Sequence, residues 1–210
     1  MKATLRRLRL PADDAPLPAA ARAFLADARR QIKLFWRQPQ RARAAPFVPS
    51  DYEAVYRALA ALQRDHDVGG RLCEWGSGFG VVAGLGAMLG FDAHGIEIDG
   101  ELVAASQQLL LRHRLPAVIA QGSFVPAGDA TFEQSADMEG RTVAGGPSAY
   151  ADLELDVDDF ELVFAYPWPT EVDLFRRLFA RHADHGAVLL LWSGTEGMRA
   201  WRKVAASPRR

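Results

Sequence analysis

The sequence predicts an α/β protein built on a doubly wound, mostly parallel sheet. Three features carry that expectation. A short apolar run at Leu72 and Cys73 leads into three closely spaced glycines, Gly76, Gly78 and Gly80. A helical pattern over 81–89 and a second apolar run ending on Glu97 follow at once, which spells strand, turn, helix, strand. Further on, short apolar runs keep alternating with amphipathic helical patterns as far as Trp192.

The first unit carries the chemistry. Glycines at 76, 78 and 80 let the backbone turn sharply and approach a ligand, and the helix start behind them offers unpaired N–H groups. An acid at the end of the second strand, Glu97, can accept both hydroxyls of a ribose. This is the strand–helix–strand unit that takes an adenosine-type cofactor. A dinucleotide fingerprint wants a small residue three places after Gly78, where Val81 stands, and Glu74 lies two residues before Gly76.

The pattern E-x-G-x-G-x-G over 74–80, with Glu97 beyond it, resembles motif I and the post-I acid of class I S-adenosylmethionine-dependent methyltransferases. The likeness covers roughly residues 47–192. It implies a Rossmann-like fold and S-adenosylmethionine as cofactor. Glu74 then helps hold the charged methionine end, Gly76, Ser77, Gly78 and Gly80 form the loop, and Glu97 with Ile98 serves the ribose side. At the next strand end the family often places an acid against the adenine. Ser123 stands there instead, with Phe124 beside it, so a hydroxyl and a ring face would substitute.

A chain of 210 residues fits one domain with an extension, and 49% hydrophobic with 24% charged residues is ordinary for a globular protein. The net charge is only −1, yet the first 45 residues hold eleven Lys/Arg against three acids. We therefore divide the chain into a basic extension, 1–45, and a main domain, 46–210. The single cysteine, Cys73, excludes an internal disulfide framework and reads as a buried small hydrophobe in a reducing, cytoplasmic setting. No apolar run is long enough to span a membrane, and prolines and aspartates interrupt the place of a signal-peptide core. Oligomeric state is not legible.

In chain order, residues 1–17 read as weakly ordered and 17–37 as a basic amphipathic helix, with Phe24, Ala28, Ile32 and Phe35 on one face. After a linker over 39–49, Ser50 with Glu53 suggests a capping box for a helix that turns Tyr52, Val55, Leu59 and Leu62 inward; Phe47 and Tyr52 lie near the expected cofactor. A helix over 101–114 and a strand over 117–120 follow. The stretch 125–161 carries ten acids against one base, Arg141, and its portion to 159 reads as an acidic flap. Its acids, Asp137 and Glu139 or Asp156, Asp158 and Asp159, are read as solvated rather than as a metal site. We expect the basic helix to fold onto this flap.

Phe160 to Tyr166 reads as the fourth strand and ends in Tyr166-Pro167-Trp168-Pro169. That turn loosely resembles the D/N-P-P-Y/F/W motif of amino-group methyltransferases, with Tyr166 in place of the acid or amide and Trp168 in place of the second proline. The likeness implies that Tyr166, Pro167 and Trp168 meet the methyl acceptor. Thr170 can cap the next helix. His182 and His185 at its end are read as structural, and no metal is expected. Residues 187–192 make a buried fifth strand. The expected order is 3-2-1-4-5, with ligands at the carboxyl ends of the strands and the usual C-terminal hairpin absent or reduced to a helix around 198–204.

The function implied is methyl transfer to nitrogen, on a protein lysine or arginine or a small amine. The acidic flap would repel phosphates and so disfavours nucleic acid. The alternative is a non-catalytic, methyltransferase-like platform for partners; a nicotinamide oxidoreductase ranks third, because of Val81 and Glu74.

Overall fold

A computed structural model describes residues 3–11, 15–38, 50–129, 146–194 and 197–205. Phe47, the 39–49 linker, Asp137 and Glu139 lie outside them. Seven strands form one sheet: β1 (Ala3–Leu8), β2 (Arg71–Trp75), β3 (Asp92–Glu97), β4 (Ala117–Gln121), β5 (Leu162–Ala165), β6 (Val188–Ser193) and β7 (Gly197–Ala205). Their order across the sheet is β1-β7-β6-β5-β2-β3-β4. β4, β3, β2, β5 and β6 are parallel neighbours, so the order reverses between β2 and β5. A crevice opens at such a reversal, on the carboxyl side of the strands.

Both ends of the chain correct the reading from sequence. β7 pairs antiparallel with β6 from Val188↔Arg202 to Ser193↔Gly197, so residues 198–204 are strand and not helix. β1 then pairs antiparallel with β7, Ala3↔Ala205 through Leu8↔Ala200, where a weakly ordered segment was expected. The extension is woven into the sheet edge.

Six helices are described: α1 (Ala19–Trp36), α2 (Tyr52–His66), α3 (Val81–Met88), α4 (Gly100–Arg112), α5 (Tyr150–Leu153) and α6 (Val172–His182). One core packs α1, α2 and α3 on one sheet face, with Phe24, Leu59, Leu62, Leu72, Phe79, Leu85 and Phe164 buried in it. On the other face Cys73, Trp75, Phe124, Tyr150, Phe160, Phe175 and Phe179 are buried. The two sets alternate along β2, as the period of a strand covered on both sides requires.

Cap assignments shift by small steps. Asp51, not Ser50, caps α2, accepting the Ala54 N–H at 3.1 Å. Thr170 does not cap α6; it lies within a 3-10 turn, Pro169–Glu171, that runs into the helix. α1 docks on α3 and α4. Among the described residues its arginines pair with its own Asp27 (Arg30, 2.8 Å) and with Glu53 of α2 (Arg29, 3.2 Å), while residues 130–145 of the acidic stretch lie outside the described residues. Asp27 also takes Arg112 and His113 of the α4 end, each at 3.0 Å; Arg30 first, then Gln31, His113 and Arg112, hold its carboxyl well below the usual range against the opposing effect of burial.

Candidate functional site

The glycine turn is built by local geometry. Gly76, Gly78 and Gly80 all have positive φ (69°, 51° and 63°), the left-handed region that favours glycine. Ser77 N–H donates to Ile96 O at 2.9 Å and Gly80 N–H to Ser77 O at 2.7 Å, which lays the loop against β3. A Cβ on Gly95 would stand 2.8 Å from Ser77 Cβ, so glycine in β3 is what admits the close approach.

Two buried acids bracket this loop. Glu97, 8% exposed, accepts the Gly78 N–H through Oε2 at 2.7 Å and the Asp99 N–H through Oε1 at 2.9 Å. Burial pushes its carboxyl up against the opposing pull of those donors. Glu74, 5% exposed, accepts the Ala83 N–H of the first turn of α3 at 2.9 Å. Burial, reinforced by Glu97, pushes Glu74 up to about 8 despite that bond. Tyr52 lies close enough for Glu74 to raise its hydroxyl further, after burial. Ile98 is partly buried, and Asp99 caps α4 through the Glu101 N–H at 2.8 Å.

The fit to a sulfonium nucleoside can be tested on these atoms. Ser77 Oγ is buried beside the loop with no hydrogen-bond partner among the described residues, a polar atom that lacks its complement. Each Glu97 oxygen has a lone pair beyond the one its backbone donor uses. An ionised carboxylate at Glu74 would be favoured by an ammonium group beside it. Loop, Glu97, Ser77 and Glu74 therefore fit the group.

The adenine side is different. Phe124, expected to offer a ring face, is 6% exposed and stacks on Trp75 at 5.4 Å and 14°, with Phe175 at 5.3 Å on a tilt. Its ring belongs to the core. Ser123 is 2% exposed; its Oγ accepts the Val125 N–H at 3.1 Å, and its backbone bonds Pro147 O and the Ala149 N–H. Those bonds turn the strand end onto residues 147–149, since a Ser hydroxyl readily serves its own chain.

At the end of β5, Tyr166 is half-buried and meets Trp192 edge-to-face at 6.5 Å. Pro167 is buried. The Trp168 N–H donates to Glu171 Oε2 at 3.3 Å, while the Glu171 N–H returns to Trp168 O at 2.9 Å. Glu171 is fully buried, so this reciprocal pair locks the turn from inside. Trp192 and Glu171 were not picked out from sequence; the only signal was their place at a strand end and after the Pro-Trp-Pro turn.

Other expectations resolve into structure. Cys73 is buried. His182 Nε2 donates to the buried Asp129 carboxylate at 2.7 Å, and Arg181 pairs with the same carboxylate at 2.9 Å, while His185 is exposed. No cluster of three metal-ligating side chains occurs among the described residues, and none of their helices is long and apolar enough to cross a membrane.

Compared by sequence, the chain matches neither a family model nor a curated protein. Compared by structure, it is similar to an RNA methyltransferase from Salinibacter ruber in complex with S-adenosyl-L-homocysteine. The TM-score is 0.50 at 17% identity, over 78% of this chain and 97% of that one. It is also similar to S-adenosylmethionine-dependent methyltransferases from Geobacter sulfurreducens (TM-score 0.47, 15% identity, 77% of this chain and 54% of that one) and Clostridium acetobutylicum (0.47, 11%, 78% and 56%). The chain spans little more than half of those two. The fold is that of the class I S-adenosylmethionine-dependent methyltransferases.

Proposed function

We propose that the protein binds S-adenosylmethionine and transfers its methyl group to a nitrogen acceptor. The observation that carries this is the buried Glu97 carboxylate, shared between the Gly78 and Asp99 N–H groups where a ribose would lie. When bound, the cofactor supplies a methyl carbon already activated on a sulfonium. The chain need only hold the two reactants in line and keep water out.

Glu97 and Ile98 would hold the ribose side, Gly76, Ser77, Gly78 and Gly80 the turn beneath it, and Glu74 the ammonium of the methionine end. Tyr166, Pro167 and Trp168 would line the acceptor position, the turn being fixed by Glu171. The acceptor nitrogen, neutral when it attacks, gives up its proton to water after transfer; no strong base is required. Ser123 is retained as a backbone support of the adenine end and Phe124 as the core wall behind it.

A ground for preferring protein or small-molecule amines was the acidic stretch. Its described acids near β5 sit at the start of the strands: Glu161 Oε2 accepts the Arg71 N–H at 2.6 Å, and Asp159 lies 3.9 Å from the Arg71 guanidinium. They are at the opposite edge from the Tyr166 turn, and so do not select the acceptor.

Thermal-shift measurement with S-adenosylmethionine, S-adenosylhomocysteine, NAD and NADP tests the cofactor. Stabilisation by the first two, lost in Glu97→Ala, is expected. No shift with either would leave a non-catalytic platform as the reading. Transfer of radiolabelled methyl into cell-extract fractions then tests activity.

A further inference from the structure

Packing brings arginines together on β1 and β7, the two strands beyond β6 from the Tyr166 turn. β1 runs toward the carboxyl side of the parallel strands, from Ala3↔Ala205 to Leu8↔Ala200. Its last residues stand beside the start of β7, where Met198 is the register partner of Trp192. There the surface opens into a hollow of about 440 Å³ lined by Arg7, Leu8, Arg9, Leu10 and Met198. Tyr166, Trp192, Met198 and the hollow thus follow one another across β5, β6, β7 and β1. Three strand spacings make that path about 14 Å.

Charge is concentrated on the α6 face of the same strands, around Trp201, which packs in the core opposite to the one that Trp192 and Met198 join. Arg7 of β1, Arg176 of α6 and Arg199 of β7 lie 5.0, 5.0 and 5.6 Å from the Trp201 ring centre, held by the indole face. Asp173 pairs with Arg176 at 2.8 Å. Arg6 and Arg9 are exposed, and their side chains have no ion pair among the described residues. The exposed large apolar residues, Leu34, Leu111 and Val118, lie on α1, α4 and β4, and β4 is the other edge of the sheet. Among the described residues the basic edge therefore lacks the exposed apolar face that a bilayer would take up.

We propose that this hollow and its arginines bind the phosphate backbone of a nucleic-acid acceptor, whose nitrogen reaches the Tyr166 turn. The proposal rests on reading that turn as the acceptor position. Guanidinium forks match phosphate oxygens in bidentate fashion. Arg7 and Arg9, two residues apart, are spaced about 7 Å along an extended chain, which suits successive charges better than one headgroup. A path of about 14 Å exceeds the size of a small amine, and fits a base at the turn with phosphates at the hollow.

Fluorescence anisotropy with a labelled single-stranded RNA of about 20 nucleotides tests this. The Arg7→Gln/Arg9→Gln variant is expected to bind about tenfold more weakly and to lower the log–log salt slope by about 1.4, two phosphates' worth. Lys33→Gln/Arg37→Gln, on α1, should stay within about twofold. Circular dichroism checks folding, and Arg9→Gln alone, expected to bind about threefold more weakly, serves if the double variant misfolds. The proposal is overturned by absence of RNA binding, by equal binding in the arginine variants, by an equal loss in the α1 variant, or by preference for phosphatidylserine vesicles. The S-adenosylhomocysteine thermal shift is read on the same samples. A shift that persists without RNA binding sinks this inference and leaves the cofactor reading standing.

Discussion

Glu97 Oε2 lies 2.7 Å from the Gly78 nitrogen, tying the end of β3 to the middle of the glycine turn. The same side chain takes the Asp99 N–H, so one carboxylate organises two backbone segments that would flank a ribose. Glu97→Ala leaves both donors without their acceptor and should lower stability by about 1–3 kcal/mol. It should also abolish the thermal shift with S-adenosylhomocysteine. Glu97→Gln keeps one acceptor oxygen but sets its NH2 against the other N–H donor, so it should recover only part of the stability and little of the ligand shift. Chemical denaturation and the thermal-shift titration check the two effects separately.

Glu74 gives a pH signature. Its carboxyl, raised to about 8 in the fold, holds a proton there that the unfolded chain releases near 4.5. The folded state thus binds more protons across that window, and stability falls as pH rises from about 4.5 to 8. Burial of this group sets the upper limit of the loss at about 5 kcal/mol. Glu74→Gln should flatten the decline and be the more stable protein at pH 8. An ammonium beside Glu74 needs the ionised form, so cofactor affinity should tighten between pH 6 and 8 in the unmodified protein only. Melting temperature and isothermal titration against pH measure both slopes.

The Tyr166 turn should matter to transfer and not to cofactor affinity. Tyr166→Ala removes the partner of the Trp192 ring and should reduce methyl transfer at least about tenfold, while S-adenosylhomocysteine affinity changes less than about twofold. Glu171→Gln should act in the same direction through the turn, because its buried carboxylate holds Trp168. A loss of affinity equal to the loss of turnover in Tyr166→Ala would remove the turn from the acceptor side.

Asp27 anchors the N-terminal helix to α4 through Arg112 and His113. Asp27→Ala should cost about 1–3 kcal/mol and speed proteolysis within residues 19–36. The neighbours depress its folded pKa, so its contribution is present above the unfolded carboxylate range and fades as pH falls below about 4. The difference between the two proteins in urea midpoint should therefore shrink on acidification.

Much of the candidate site is legible in the sequence because it is local. Glycines at alternate positions, an acid before them and an acid at the end of the next strand are fixed offsets within one unit, and each keeps its place in the structure. Phe124 was misread because its neighbours Trp75 and Phe175 come from distant segments. A phenylalanine beside a strand end reads identically whether it faces ligand or core. Ser50 and Asp51 show the same limit on a smaller scale: two adjacent residues able to cap, with the backbone choosing the second.

The end strands mark where reading stops. Residues 3–8 are basic and short, and 197–205 mix arginine with tryptophan and alanine, so neither carries a clear period. β7 finds its first ladder on the neighbouring β6, but β1 becomes a strand only because β7, about 200 residues away, offers its free edge, a pairing that local propensity does not contain. Residue chemistry and near spacing were enough to write the glycine turn, its acids and the parallel core into the chain. Which side chains face one another at the sheet edge, and that arginines from three elements share one indole, was settled only when distant strands met.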